Sequence, residues 1–126
     1  MIESIDLMIW GREFTLPIDY NCYDGETETD EQFKALERLL NHKDWIDEAK
    51  SRVEAYCKDD VMDDEENNKK DNIFSYIKPE CIFIKHEDFN PRIAIMCKYR
   101  YDLEHGLSIV FSTDGQITVD IQDIIL

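Results

Sequence analysis

"RIAIMCKYRYDLEHGLSIVFSTDGQITVDI" (residues 92–121) is the stretch of sequence that decides the fold. It contains three runs rich in β-branched and aromatic residues, separated by the polar segments 102–106 and 113–115, each of which contains a glycine. Such runs are typical of strands, and glycine suits the turns between them. The stretch therefore predicts an antiparallel meander of three strands.

Burial of one face of each strand predicts how these strands pair. A two-residue loop at 114–115 would set apolar residues opposite polar ones, whereas a three-residue loop at 113–115 sets apolar residues opposite each other. The pairs predicted for this last hairpin are Phe111 with Ile117, Ile109 with Val119, and Leu107 with Ile121. A five-residue loop at 102–106 predicts the pairs Tyr101 with Leu107, Tyr99 with Ile109, and Cys97 with Phe111.

The front of the chain predicts a second hairpin. Its halves, 4–10 and 13–20, alternate apolar and polar residues around a two-residue Gly11-Arg12 turn, where glycine suits type II′. The pairs predicted from burial are Ile9 with Phe14, Leu7 with Leu16, and Ile5 with Ile18. Pro17 lacks an N–H donor, so the second strand is expected to be an edge strand or to be bulged there.

Two helices are predicted between residues 29 and 58. Thr29 followed by Gln32 is a capping-box pattern that begins the first helix. The second helix runs from about Asp44 to Lys58, and the short connection between the two indicates a helical hairpin. Its apolar stripe consists of Ile46, Ala49, Val53 and Cys57. With a short buried strand at 81–85, the chain predicts an α+β fold: an antiparallel sheet, built from the N-terminal hairpin and the C-terminal meander, packed against the helical hairpin.

The length and the charge of the chain restrict its organisation and its partners. At 126 residues it is expected to form a single domain, 1–126, with a flexible acidic linker at about residues 59–72. It carries 29 acidic and 14 basic residues, a net charge of −15. This charge repels nucleic acids and anionic membranes, which bind through Lys and Arg, and it attracts a basic protein.

A cytoplasmic location is expected from the start of the chain and from its cysteines. Glu3 and Asp6 interrupt the first ten residues, so the pattern of a signal peptide is not seen. No run of 18 apolar residues occurs. The four cysteines have no C-x-x-C spacing, which favours reduced thiols.

Asp102, Glu104 and His105 are candidates for a metal site. A metal ion needs three or four such ligands at one point, and His86, which follows the strand at 81–85, is the candidate for a further ligand. A metal-binding domain or a metal-dependent enzyme is therefore one alternative.

The other interpretation of this segment is a structural turn. In it, Asp102 bonds to the backbone and Gly106 adopts a positive φ, while Asp114 and Gly115 do the same in the next turn. Cys57, on the apolar stripe of the second helix, and Cys97, on the apolar face of its strand, are expected to be small core hydrophobes and not nucleophiles. No phosphate-binding glycine motif occurs in the sequence. The chain is therefore not expected to be an enzyme, and no cofactor is predicted.

A binding surface for a basic protein is predicted from aromatic residues close to carboxylates. Aromatic side chains are good anchors at protein interfaces, and the most exposed one is expected beside the Gly11-Arg12 turn. The residues predicted for this surface are Trp10, Tyr23, Asp24, Glu26, Glu28, Asp63, Asp64, Glu65 and Glu66.

The C-terminal region resembles a bacterial family of small domains of unknown function. The residues that carry the resemblance are Tyr101, Asp102, Glu104, His105 and Gly106, followed by Gln122, Asp123 and Ile124. The opening hairpin and "DEQFKAL" (residues 30–36) are also similar. The resemblance implies a cytoplasmic protein, and some members of the family are associated with polymorphic toxin systems as immunity proteins. It implies no catalytic residues.

The leading hypothesis is a non-enzymatic, soluble binding protein, which would be an immunity-type inhibitor of a basic toxin or would bind another basic protein. The alternatives are the metal site of Asp102, Glu104, His105 and His86, and a structural module of a larger assembly.

Overall fold

A computed structural model describes residues 4–20, 30–60, 74, 76–85 and 91–125, with the backbone alone for 58–60. The strands are β1 (Ser4–Ile9), β2 (Arg12–Tyr20), β3 (Ile77–Ile84), β4 (Ile93–Tyr99), β5 (Leu107–Phe111) and β6 (Ile117–Asp120). The helices are α1 (Asp30–Asn41) and α2 (Lys43–Asp60), and a short 3-10 helix spans Gln122–Ile124. In this part of the chain the six strands form one open sheet in the order β1-β2-β3-β4-β5-β6. The predicted α+β class is confirmed.

One strand pair is parallel, where an antiparallel sheet was predicted. β2 and β3 run parallel through the pairs from Ile18–Ile82 to Tyr20–Ile84, and the other four neighbouring pairs are antiparallel. Parallel neighbours require a long connection, and α1 and α2 lie in the chain between these two strands. The helical hairpin is thus a crossover between the two halves of the sheet.

The prolines of the sheet lie where strand pairing is interrupted. β2 is an internal strand, so the prediction that it is an edge strand is wrong, and its register with β1 has no bulge at Pro17. β2 pairs with β3 only from Ile18 onward, so Pro17 itself is paired on the β1 side alone. In β3 the register shifts between Pro79 and Cys81. The predicted strand at 81–85 therefore begins earlier, at Ile77, because a bulge accommodates the missing N–H of Pro79.

The main core lies between the two helices and one face of the sheet. The predicted stripe of α2 is confirmed, because Ile46, Ala49, Val53 and Cys57 are all buried in this core. From α1, Gln32 is also fully buried, and its amide Nε2 donates to the carbonyl of Ile84 at 3.1 Å. This bond ties α1 to β3. Thr29, the predicted capping partner, lies outside the described residues.

The register of the last hairpin is confirmed. Phe111 pairs with Ile117 and Ile109 pairs with Val119, around a loop at 113–115. The ladder ends at Ser108–Asp120, so the predicted Leu107–Ile121 pair is not part of it. The acidic linker predicted at 59–72 overlaps α2, which continues to Asp60. Residues 61–72 lie outside the described part of the chain.

The other two predicted registers are wrong by an even number of residues. In the first hairpin the pairs are Ile9–Arg12, Leu7–Phe14 and Ile5–Leu16, a shift of two. Between β4 and β5 the pairs are Cys97–Leu107, Ile95–Ile109 and Ile93–Phe111, a shift of four. An even shift leaves each side chain on the same face of the sheet, so burial does not distinguish these registers.

Backbone conformation in the turn decides the register of the first hairpin. The turn residues are Trp10 and Gly11, with φ of +49° and +86°. Positive φ at both central positions is the geometry of a type I′ turn, whose twist matches that of the flanking strands. The predicted type II′ turn at Gly11-Arg12 is therefore wrong.

Candidate functional site

Asp102 organises the connection between β4 and β5. Its backbone N–H donates to the carbonyl of Tyr99 at 3.1 Å, and its own carbonyl accepts from the N–H of Gly106 at 2.8 Å. Its carboxylate Oδ1 accepts from the backbone N–H of His105 at 3.2 Å. These bonds close the turn from both ends, as expected for an aspartate that bonds to nearby backbone.

The carboxylate of Asp102 also contacts the ring of His105. Nδ1 of His105 lies 3.1 Å from Oδ1 and 3.2 Å from Oδ2 of Asp102. The pKa of His105 is raised above its ordinary value of 6.5, first by the hydrogen bond to Asp102 and then by the charge of that carboxylate. Glu104 is exposed and contributes a smaller rise to the same pKa. The histidine and the carboxylate thus satisfy each other.

Gly106 lets the end of the chain approach this turn. Gly106 has a φ of +63°, and a Cβ atom added to it would lie 2.6 Å from Nε2 of Gln122 and 2.9 Å from the carbonyl oxygen of Cys97. Nε2 of Gln122 donates to that carbonyl at 3.0 Å, and the backbone N–H of Gln122 donates to the carbonyl of His105 at 3.1 Å. The segment at 102–106 and the segment at 122–124, which are far apart in the sequence, therefore meet in space.

The next turn has the same design. The hydroxyl of Ser112 and the N–H of Gln116 donate to the carboxylate of Asp114, and these bonds lower the pKa of Asp114, the bond from Ser112 most. Gly115 has a φ of +86°, and the Trp45 indole of α2 packs against its backbone. Asp114 and Gly115 thus lie where a turn requires their residue types.

The metal hypothesis stays a prediction. No group of three or more His, Cys, Asp or Glu residues is placed to hold a metal ion among the described residues, and His86 lies outside them. Asp102 and His105 are in contact, while Glu104 is exposed to solvent. Of the three candidate ligands that the structure describes, it brings Asp102 and His105 into contact.

The thiols of β3 and β4 are poorly suited to nucleophilic chemistry. Burial raises the pKa of Cys97, which is fully buried, and it also raises the pKa of Cys81, with smaller contributions from Asp19 and Glu80. A raised pKa lowers the fraction of thiolate, which is the reactive form.

The residues predicted for a partner surface lie mostly outside the described residues: Tyr23, Asp24, Glu26, Glu28, Asp63, Asp64, Glu65 and Glu66. Trp10 is described, and the expectation that it is exposed is wrong. Its side chain is half-buried, its Nε1 donates to the carbonyl of Ile46 at 2.7 Å, and its ring lies 5.9 Å from that of Phe74. These contacts fix the first hairpin to α2.

The sequence did not predict a cleft that lies where β3 begins and β4 ends. Its volume is about 230 Å³. The residues that define this cationic cleft are Lys78, Lys98, Arg100, Phe74, Tyr76 and Leu103. In the sequence, Lys98 and Arg100 alternate with Cys97, Tyr99 and Tyr101, which is typical of a strand with one solvated face. Lys78 was missed because the predicted strand began at residue 81, three residues too late to reveal the pairing of Lys78 with Lys98.

A comparison with protein families decides what kind of domain this is. One family model, described as a domain of unknown function, matches residues 3–126. The chain belongs to that family, DUF6985. No curated protein and no solved structure showed similarity to the chain. Membership of DUF6985 confirms the predicted domain of unknown function over nearly the whole chain. None of the helices that the structure describes is long and apolar enough to cross a membrane.

Proposed function

We propose that this DUF6985 domain is a cytoplasmic, non-enzymatic binding protein whose partner is a basic protein. The observation that carries the proposal is the net charge of −15. A field of this sign accelerates the encounter with a basic partner and repels polyanions. The resemblance to a family with toxin-associated members makes a basic toxin the partner to test first.

Exposed carboxylates on α2 support the proposal. Asp47, Glu48 and Glu54 are exposed there, and they form no ion pair with another described residue. Their carboxylates are hydrated in the free protein and available to a partner's Lys and Arg side chains. The residues outside the described ranges add eleven acidic and two basic residues, which is nine of the fifteen net negative charges.

The experiment is an affinity purification with the full chain as bait, followed by binding kinetics with the basic protein it captures. The association rate is expected to fall about tenfold or more when ionic strength rises from about 20 mM to about 200 mM. A triple variant, Asp47→Asn/Glu48→Gln/Glu54→Gln, is expected to slow association further than its matched control, Glu13→Gln/Asp19→Asn/Glu104→Gln. An association rate that ignores salt, or a captured partner that is acidic, contradicts the proposal.

The inhibitory role is tested separately. If the captured protein is toxic when expressed alone, co-expression of the full chain is expected to restore growth, and the triple variant is expected to restore it less well. Growth arrest that the full chain does not relieve contradicts the immunity role, but it does not contradict the proposal that the partner is a basic protein. The metal site and the role as a structural module stay predictions.

A further inference from the structure

The cationic cleft concentrates positive charge in a chain that is strongly negative overall. Lys78 and Lys98 are directly opposite each other in the antiparallel ladder of β3 and β4, so their side chains leave the same face of the sheet. Like charges directly opposite each other in a sheet are destabilising. The pairing therefore has a cost in the free protein, which a bound anion would relieve.

Few carboxylates offset these charges. Nζ of Lys98 lies 3.9 Å from Oε2 of Glu80, and both side chains are exposed. Lys78 and Arg100 are exposed and form no ion pair with another described residue. Arg12 lies over the ring of Phe74, 4.6 Å from its centroid, and adds a further cation, while the charge of Glu54 reaches Tyr76. Among the described residues the cations around the cleft therefore outnumber the carboxylates, in a chain where acidic residues outnumber basic ones by two to one.

The rest of the cleft is apolar. Leu103 is 71% exposed although it is a large hydrophobic side chain. It lies in the turn that Asp102 closes, so the turn geometry holds it in position at the cleft. Phe74 and Tyr76 supply aromatic surface on the same cleft. An exposed apolar residue beside cations is typical of a binding site for a ligand with an apolar body and an anionic group.

The volume limits the size of that ligand. An apolar cavity of about 150 Å³ admits benzene. The cationic cleft, at about 230 Å³, has room for a ring of that size and a short arm with a carboxylate. A polyanion such as nucleic acid is disfavoured by the net charge of the chain, whereas a single small carboxylate meets mainly the local field.

We propose that the cationic cleft binds a small free carboxylic acid with an aromatic or branched aliphatic body. Lys78 and Arg100 bind the carboxylate, Lys98 adds to the positive field, and Leu103 with Phe74 contacts the apolar body. This site does not rest on the proposed basic partner, because the two ligands have opposite charge, although the charge of Glu54 on α2 reaches Tyr76 of the cleft. Either proposal can therefore fail alone.

The test is a calorimetric titration of the full chain with hydrocinnamate, an aromatic acid of suitable size. Its uncharged amide, hydrocinnamide, and acetate are the comparison ligands. The acid is expected to bind at millimolar concentration or below, the amide about tenfold more weakly, and acetate not measurably. Equal affinity for the acid and its amide, or no binding of the acid at about 10 mM, overturns the proposal.

Variants place the ligand in the cationic cleft. Lys78→Gln/Arg100→Gln is expected to weaken binding of hydrocinnamate about tenfold or more, since it removes two charged donors. Leu103→Ser is expected to weaken binding of the acid without abolishing the preference over the amide. Arg52→Gln, which removes an exposed cation from α2, is the matched control and is expected to leave binding unchanged. All four positions are exposed, so thermal unfolding is expected to show a folded protein in each case. If the double variant and the control lose affinity for hydrocinnamate equally, the assignment of the ligand to the cationic cleft is wrong.

A final arm distinguishes the source of the carboxylate. A tripeptide that ends in phenylalanine with a free carboxylate is titrated beside hydrocinnamate. Weaker binding of the tripeptide supports a free small acid. Binding of the tripeptide about tenfold tighter than the acid overturns that assignment in favour of the C-terminus of a protein.

Discussion

The aspartate of the β4–β5 turn shows how much one side chain fixes. The carboxylate of Asp102 accepts from the backbone N–H of His105 and contacts its ring, so it both closes the turn and raises the pKa of that histidine. A pattern of an acid followed three residues later by histidine could equally be read as two metal ligands. The structure shows the pairing of Asp102 with His105, at 3.1 Å from Nδ1 to Oδ1.

The pH dependence of stability follows from that pair. Because the folded-state pKa of His105 is raised above 6.5, the pair stabilises the fold fully below about pH 6.5, and the effect is lost as pH rises through the raised pKa. Asp102→Asn keeps an acceptor for the backbone N–H but removes the charge. The difference in free energy of unfolding between wild type and Asp102→Asn is therefore expected to shrink from about pH 5.5 to about pH 8.5. Urea unfolding at several pH values measures it.

The control for this prediction is Glu104→Gln, which removes a neighbouring carboxylate with a smaller effect on the same histidine. An NMR titration of His105 is expected to give a lower pKa in Asp102→Asn than in Glu104→Gln. The same pKa in wild type and in Asp102→Asn would show that the contact does not form in solution.

Gly106 and Gly11 both have a positive φ, but only at Gly106 does another segment of the chain also approach closely. Gly106→Ala is expected to lower the free energy of unfolding by about 2–3 kcal/mol, because it combines a left-handed backbone with the loss of the Gln122 bond to the Cys97 carbonyl. Gly11→Ala keeps only the first cost, about 1–2 kcal/mol, since no atom lies within 4 Å of its added Cβ. Urea unfolding compares the two variants. Equal losses would show that the chain end does not press on Gly106.

At the scale of elements, the pairing of Lys78 with Lys98 in the ladder of β3 and β4 lowers the stability of the fold and also forms part of the cationic cleft. Lys78→Gln removes a like charge opposite Lys98 and leaves the contact between Lys98 and Glu80 in place. We expect the free energy of unfolding to rise by about 0.2–1 kcal/mol at low salt. Thermal unfolding at about 20 mM ionic strength measures this, and the gain should shrink at about 500 mM. A loss of stability in the variant would mean that Lys78 is offset by a charge in the free protein.

The two hairpins of the chain differ in how well their registers follow from sequence. In the last hairpin, the three-residue loop ending in Gly115 fits a single register that buries one face, and that register is present. In the first hairpin, registers two residues apart bury the same side chains. The choice depends on positive φ at Trp10, a conformation that a bulky residue seldom adopts and that its sequence therefore does not predict.

At the scale of the whole molecule, the charge opposes the fold. A net charge of −15 on a chain of 126 residues repels itself more strongly when compact. Raising NaCl from about 10 mM to about 200 mM is expected to raise the urea midpoint of unfolding, because salt screens that repulsion. Sodium chloride and potassium chloride should act alike, since screening depends on ionic strength. A midpoint that falls with salt would mean that favourable ion pairs outweigh the repulsion.

The sequence by itself determined the class of the fold and most of the buried faces. Alternation along strands and the stripe at Ile46, Ala49, Val53 and Cys57 are periodic patterns, which local geometry turns into buried faces wherever the element lies. The sequence also predicts the roles of the turn residues Asp102, Gly106, Asp114 and Gly115, because these roles depend on backbone conformation over a few residues.

Only the tertiary structure decided which elements are neighbours and what they bring together. The parallel pairing of β2 with β3 depends on the crossover through α1 and α2. The meeting of Gly106 with Gln122, and of Lys78 with Lys98, depends on registers that burial leaves undetermined to within an even number of residues. A candidate site built across strands is therefore invisible in the sequence, because its residues become neighbours only through hydrogen bonds between distant segments.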